Sequence, residues 1–250
     1  MGMPVAVKAV VLLSGGMDSA VCAAAARAKG RRLFGLSLGY GQRHAVELDC
    51  ARAQARLLGF ERQVTLDLPL AAIASGALVD GSRLNTRGPR KGKPATYVSF
   101  RNGVFLAAAA SWAEALGASE IWGGWCFTDH AGYPDCTPSF FSAFEKAVAA
   151  GTWDGRRGRR LRILAPLGRL DKAATIRLGL RLGVDFRKTW TCYRPQGPLA
   201  RTRACGVCDA CRLRAEGFSR AGLADPGVPA RPARPNPSSV SGKAALRSRP

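Results

Sequence analysis

The feature that most constrains this 250-residue chain is an apolar strand pattern that runs directly into a glycine-rich turn and a helix. Residues 6–13 read AVKAVVLL, which is rich in β-branched side chains, and residues 14–19 read SGGMDS. Residues 19–29 are rich in alanine and contain no helix breaker. A continuous apolar strand of this kind is typical of a parallel sheet that is buried on both faces. The segment therefore predicts a buried strand, a turn and a helix.

The alternation of strand and helix patterns continues along the chain. Further strands are predicted over residues 32–38, 61–66, 120–125 and 161–165, and helices over residues 45–58, 102–116, 140–150 and 172–182. Strands that alternate with helices of about a dozen residues favour an α/β fold with a parallel sheet and helices on both faces. Residues 76–94 and 151–160 are predicted to be basic loops.

The charge balance is strongly basic. Hydrophobic residues make up 47% of the chain, which excludes disorder of the whole protein. There are 38 Lys and Arg residues against 17 Asp and Glu, a formal net charge of +21, and only six of the basic residues follow Phe218. Such an excess indicates polyanionic partners. We find no membrane-spanning run and no secretory cleavage site, and we expect a cytoplasmic protein.

The loop at residues 14–19 has the composition of a phosphate-binding site. Its two glycines allow successive backbone N–H groups to turn inward, the following helix N-terminus adds partial positive charge, and the serines supply hydroxyl donors. It lacks the lysine of the Walker motif and the spacing of G-x-G-x-x-G. These absences exclude a Walker nucleotidase and a Rossmann dehydrogenase. The pattern S-G-G-x-D-S instead resembles the PP-loop of ATP pyrophosphatases.

A cysteine cluster near the C-terminus has metal-ligand spacing. Cys192 is followed by Cys205, Cys208 and Cys211, each three residues from the next. Four thiolates close a tetrahedral zinc site with no open position, so we expect structural zinc. An iron–sulfur cluster or reactive thiols are the alternatives that the spacing leaves open. Three other cysteines, which we expect to be small buried side chains, are Cys22, Cys50 and Cys126.

Together with further motifs, these features resemble the 7-cyano-7-deazaguanine synthase (QueC) family. The motifs occur in the same order between residues 8 and 218. They are SGGMDS, YGQRH at 40–44, Arg101-Asn102, GYPDC at 132–136, Asp171-Lys172, and TWTCYR with CGVCDAC at 189–211.

The resemblance implies a Rossmann-like PP-loop (adenine nucleotide alpha hydrolase-like) domain over residues 1–188. We expect a zinc-binding segment at 189–218 to follow, and the proline-rich composition of residues 219–250 predicts a basic, disordered tail. The implied reaction converts 7-carboxy-7-deazaguanine and ammonia to a nitrile, with ATP and magnesium, releasing AMP and pyrophosphate. Family members are often homodimers.

The resemblance also implies a set of site residues. The catalytic residues are Asp18, Arg101 and Lys172. The nucleotide-binding residues are Leu13, Ser14, Gly15, Gly16, Met17, Asp18, Ser19, Ala20 and Tyr40. The substrate-binding residues are Gln42, Arg43, Tyr133 and Asp135. The metal ligands are Cys192, Cys205, Cys208 and Cys211.

The chain departs from the family pattern at three places. Ala131 and Thr137 stand where the family usually has serine and arginine, and residues 99–100 are Ser-Phe where Pro-Ala or Pro-Gly is common. The departures at 131 and 137 keep open a relative that stops at the amide, or that transfers the activated deazapurine to another acceptor. The basic charge leaves two further alternatives, a PP-loop tRNA-modifying enzyme and a non-catalytic nucleic-acid-binding protein with a zinc knuckle.

Overall fold

A computed structural model describes residues 6–41, 46–79, 94, 96–127, 133–197 and 202–227. The strands are β1 (Lys8–Leu12), β2 (Arg32–Gly39), β3 (Arg62–Asp67), β4 (Glu120–Trp122) and β5 (Arg162–Leu164). The helices are α1 (Met17–Ala28), α2 (Val46–Leu57), α3 (Arg101–Leu116), α4 (Pro138–Gly151), α5 (Trp153–Arg156), α6 (Lys172–Arg181) and α7 (Asp209–Arg220). Short 3₁₀ turns occupy Leu70–Ala72 and Phe186–Lys188.

The five strands form one parallel sheet in the order β3-β2-β1-β4-β5. The chain builds outward from β1 to β3 on one side and then returns to place β4 on the other side of β1. The strand order therefore reverses between β1 and β4. In open α/β sheets, ligands bind outside the carboxyl ends of the strands at such a switch point.

Helices cover both faces of the sheet, which confirms the predicted α/β class. Alternate residues of β1 face opposite sides, because successive side chains in a strand point in opposite directions. Val11 belongs to the core formed with α1, α2, α6 and α7, and Val10 belongs to the core formed with α3 and α4. Both residues are fully buried.

The predicted strands and helices are all present, with bounds that shift by a few residues. β4 stops at Trp122 and not at 125, and Gly123 and Gly124 continue as irregular chain. The basic stretch 151–160, expected to be a loop, contains the helical turn α5. α7 was not predicted at all.

Helix α7 joins the cysteine cluster to the rest of the fold. Its Arg214 is 4% exposed, and the guanidinium makes a bidentate ion pair with Asp225, at 2.7 and 2.9 Å. The same side chain donates to the hydroxyl of Thr189 at 2.8 Å. Ordered contacts thus reach position 225, beyond the boundary predicted at 218. Among the described residues, no helix is both long and apolar enough to cross a membrane.

Candidate active site

A cavity opens at the carboxyl ends of β1, β2 and β4, where the strand order reverses. The loop after β1, Tyr40 after β2, and Gly123 and Gly124 after β4 all line it. The N-termini of α3 and α6 and the cysteine segment complete the wall. Their lining residues are Arg101, Asn102, Lys172, Trp190, Thr191, Tyr193 and Arg214.

The loop at residues 14–19 is held by its own hydroxyl groups. The Ser19 hydroxyl donates to the Gly16 carbonyl at 2.9 Å, and the Gly16 N–H donates to the Ser14 hydroxyl at 3.2 Å. Gly16 is the N-cap of α1 and has no side chain to cap it. The first N–H groups of the helix therefore have no side-chain acceptor from the cap and lie beside the cavity, the arrangement that binds phosphate.

Glycines are required where this loop meets its neighbours. Gly15 has φ +85°, and a Cβ on it would lie 1.9 Å from the Glu47 carbonyl oxygen in α2. A Cβ on Gly124 would lie 2.6 Å from the backbone carbon of Asp18. Neither neighbour can give way, because both contacted atoms are backbone. The Gly15 carbonyl in turn accepts hydrogen bonds from Trp190 N–H and from Gln54 Nε2.

Asp18 and Lys172 form an ion pair across the cavity wall. Lys172 Nζ donates to the two carboxylate oxygens of Asp18 at 3.0 and 2.9 Å. Lys172 is the first residue of α6, and Asp171 caps that helix by accepting from Ala174 N–H at 2.7 Å. The cap fixes the direction in which Lys172 leaves the helix. The structure thus brings together two of the three residues predicted to be catalytic.

Arg101, the third, stands at the start of α3 beside Tyr40. Its Nη1 donates to the Tyr40 hydroxyl at 3.2 Å, and its guanidinium lies 5.4 Å from the centre of the Tyr40 ring. Burial raises the pKa of Tyr40, which keeps the hydroxyl protonated. The positive charge of Arg101 also acts to lower the pKa of the Glu47 carboxyl.

Tyr133 and Asp135 have different positions. Tyr133 lines the cavity, and its hydroxyl hydrogen-bonds to the Thr96 hydroxyl. Asp135 lies behind the cavity wall and is 3% exposed, and its Oδ2 accepts from the Asn102 N–H at 2.9 Å. Its Oδ1 is buried with no hydrogen-bond partner among the described residues. The carboxylate therefore stabilises the N-terminus of α3, from which Arg101 and Asn102 project.

The four predicted metal ligands converge. Their sulfur atoms all lie within 4.8 Å of one another. Backbone N–H groups of Arg194 and Cys205 donate to the Cys192 sulfur at 3.3 and 3.2 Å, and the Cys208 N–H donates to the Cys205 sulfur at 3.4 Å. Converging sulfurs with N–H donors around them fit a thiolate-bound metal ion. Outside this cluster, Cys22 and Cys126 are buried as expected, and Cys50 is half-buried.

Several cavity residues were missed by the sequence analysis. They are Glu47, Trp190, Tyr193, Leu213 and Arg214. Trp190 and Tyr193 fall within the TWTCYR motif, which was considered only for its cysteine. Glu47 lies three residues after YGQRH, and this closeness to a motif is the signal that could have identified it. The predicted substrate residues Gln42 and Arg43 and the departure at Ala131 lie outside the described residues.

The other two departures have local structural roles. Thr137 is the N-cap of α4 and accepts from the Phe140 N–H at 3.2 Å. Phe100 is the N-cap of α3 and has φ +52°, a left-handed conformation that suits glycine better. Its ring packs edge-on against Phe140, with the ring centres 5.7 Å apart.

Three features define a PP-loop α/β protein. They are a parallel sheet whose strand order reverses between β1 and β4, the SGGMDS loop at that switch point, and the four-cysteine cluster. A family described as "Queuosine biosynthesis protein QueC" matches residues 8–222. This chain belongs to that family. It is 48% identical over 219 residues to the 7-cyano-7-deazaguanine synthase of Azotobacter vinelandii, covering 88% of this chain and 96% of that protein. Proteins of the same name from Dechloromonas aromatica and Pseudomonas syringae pv. tomato are 48% and 46% identical, with the same coverage.

Proposed function

We propose that this chain is an ATP-dependent carbon–nitrogen ligase that converts 7-carboxy-7-deazaguanine and ammonia to 7-cyano-7-deazaguanine. ATP leaves as AMP and pyrophosphate. The observation that carries the proposal is the family match over residues 8–222 together with an SGGMDS loop that lines the cavity. The near-complete coverage of relatives named 7-cyano-7-deazaguanine synthase supports the same substrate and product.

The chemistry requires two activations at one site. A carboxylate does not accept ammonia until one of its oxygens becomes a leaving group, and transfer of AMP to that oxygen supplies one. Conversion of the resulting amide to a nitrile removes the second oxygen, which again must leave with AMP. Two ATP molecules are therefore consumed for each nitrile.

The residues of the cavity suit adenylation. We expect the N–H groups at the start of α1 and the hydroxyls of Ser14 and Ser19, all of which line the cavity, to hold the departing pyrophosphate. Lys172 and Arg101 supply positive charge where negative charge develops at the α-phosphate. Tyr133 contributes to the substrate side of the cavity wall. Gln42, Arg43 and Asp135 remain predicted substrate-binding residues.

We assign magnesium to Asp18 and zinc to the four cysteines. A carboxylate is the oxygen donor that Mg²⁺ prefers, and Asp18 lines the cavity beside the phosphate loop. Bound there, Mg²⁺ would neutralise phosphate charge. The sulfurs of Cys192, Cys205, Cys208 and Cys211 form a closed set, which suits a structural zinc ion. Thiolate ligands also favour a reducing compartment, in accord with a cytoplasmic protein.

One incubation tests the proposal. The protein is mixed with 7-carboxy-7-deazaguanine, ammonium and magnesium-ATP, and the nucleotides and heterocycles are identified by mass. We expect AMP, pyrophosphate and the nitrile, with two AMP for each nitrile. Amide as the end product would favour the alternative of an enzyme that stops at the amide. Substrate-dependent ADP would contradict the PP-loop chemistry. Size-exclusion chromatography with light scattering on the same preparation tests the expected homodimer.

A further inference from the structure

Glu47 is an acidic side chain in the cavity wall for which the proposed adenylation has no use. It lies in the first turn of α2, directly against the phosphate loop, since a Cβ on Gly15 would touch its carbonyl oxygen. Its side chain is half-buried and lines the cavity together with Arg101 and Tyr40. When it is ionised, a carboxylate beside a triphosphate site repels the phosphate charge.

The carboxylate of Glu47 differs from the two other acids that the structure describes near the site. Asp18 is paired with Lys172, and Asp135 accepts from Asn102. Within the described ranges, no hydrogen bond or ion pair reaches the Glu47 carboxylate. It is thus available to a group that enters the cavity.

The surroundings of Glu47 favour a carboxyl that exchanges protons near neutrality. Burial raises its pKa to about 7, and the positive charge of Arg101 opposes that rise. The other titratable groups around it are Tyr40 after β2, Tyr193 in the cysteine segment and Cys50 on its own helix. A general base works best when its pKa lies near the working pH.

We propose that Glu47 is the general base that removes protons from the substrate nitrogen. The inference rests on the proposed function. In the first half, ammonia attacks the acyl adenylate, the C–N bond forms, and the C–O bond to AMP breaks with its electron pair leaving on AMP. One N–H proton passes to Glu47, which then releases it to solvent.

The second half uses the same carboxylate. The amide oxygen attacks the α-phosphate of a second ATP, pyrophosphate leaves, and one N–H proton is lost to solvent, which gives an O-adenylated imidate. Glu47 takes the remaining N–H proton as the C–O bond to AMP breaks and the C≡N bond forms. Both protons that Glu47 removes come from nitrogen, and neither is involved in the adenylation steps.

The test separates adenylation from nitrogen chemistry in Glu47→Gln. Exchange of labelled pyrophosphate into ATP is measured with 7-carboxy-7-deazaguanine and no ammonia, because it requires only reversible adenylation. We expect exchange within about twofold of wild type, while nitrile formation with ammonia falls about 100-fold. The matched control is Asp49→Asn, an acid-to-amide change at an exposed position of the same helix, which should alter neither rate.

The outcomes are distinguishable. Equal losses of exchange and of nitrile formation would assign Glu47 to metal binding or positioning and overturn the proposal, as would an unchanged rate of nitrile formation. A wild type that neither exchanges nor forms nitrile would instead refute the proposed function itself.

A pH profile gives an independent readout. With rates expressed per concentration of unprotonated ammonia, wild-type kcat/KM should rise with pH through about 7, because the base must be deprotonated. Glu47→Gln should lack this limb. The same limb in both proteins would rule Glu47 out as the base.

Discussion

At the scale of single residues, the site depends on charges that are held before ATP arrives. Lys172 is paired with Asp18 in the structure, so a phosphate group that binds Lys172 does not require a long side chain to be ordered from solvent. Preorganised charge of this kind is what stabilises a transition state most effectively.

Removing the ammonium group should therefore damage catalysis more than folding. In Lys172→Met we expect kcat/KM for ATP to fall about 100-fold, the usual loss for one donor to a developing anion. Arg181→Met removes an exposed cation from the other end of α6 and serves as the control. Steady-state kinetics with pyrophosphate release as the readout would measure both, and equal rates for the two variants would remove Lys172 from the site.

Glu47 should also leave a mark on stability. Its pKa in the folded protein, about 7, lies above its ordinary value of 4.5, so the folded state binds more protons between these values. The free energy of unfolding contributed by this group therefore falls as pH rises from 4.5 through 7. Glu47→Gln escapes that loss, and its advantage in Tm over wild type should grow between pH 5 and pH 8. Glu216→Gln, at an exposed position of α7, provides the control, for which a similar pH trend would contradict the assignment.

At the scale of elements, the strands and most helices were predictable because their apolar periods are strong. α7 was not, and the reason lies in the residues that it buries. They are Ala210, Cys211, Arg214, Gly217 and Phe218. These fall on one helical face, yet only two of the five are ordinary core residues. Cys211 is a proposed metal ligand and Arg214 is paired with Asp225, so this buried face does not follow a hydrophobic pattern.

The cavity was predictable only where motifs mark it. The loop at 14–19, Arg101 and Lys172 were found because they carry recognisable chemistry at a strand end or a helix start. Glu47 enters the wall through the packing of α2 against the phosphate loop, and no motif contains it. The end of β4 was likewise not predictable, because it depends on the close approach of Gly124 to the backbone of Asp18.

The departure at Thr137 has an element-scale consequence. Arginine cannot accept a hydrogen bond, so Thr137→Arg removes the cap of α4 and should lower the free energy of unfolding by about 1 kcal/mol. Thr137→Ser retains the acceptor and should be neutral within about 0.5 kcal/mol. Urea denaturation of both variants tests this. Titration with 7-carboxy-7-deazaguanine adds the second expectation, tighter binding by Thr137→Arg if the family's arginine contacts the anionic substrate.

At the scale of the whole molecule, the cysteine cluster and the phosphate loop form one connected unit. The Trp190 N–H, two residues before Cys192, donates to the Gly15 carbonyl at 3.0 Å. α7 begins within the cluster and packs so closely on α6 that a Cβ on Gly217 would lie 2.5 Å from Lys172 Cγ. A structural metal bound by the cysteines would therefore support both sides of the proposed ATP site from a distance.

Loss of that metal should therefore reduce stability and ATP binding together. In Cys208→Ser we expect zinc content to fall from one ion per chain towards zero and the free energy of unfolding to fall by about 3 kcal/mol or more, roughly 6–12 °C in Tm. ATP affinity should also weaken, because Trp190 and Lys172 lose their support. Cys126→Ser is the control, since its side chain donates to the Leu170 carbonyl and a hydroxyl can do the same. Elemental analysis, thermal unfolding and ATP titration decide the matter: iron in place of zinc would overturn the metal assignment, and lost zinc with unchanged ATP affinity would refute the connection between the two sites.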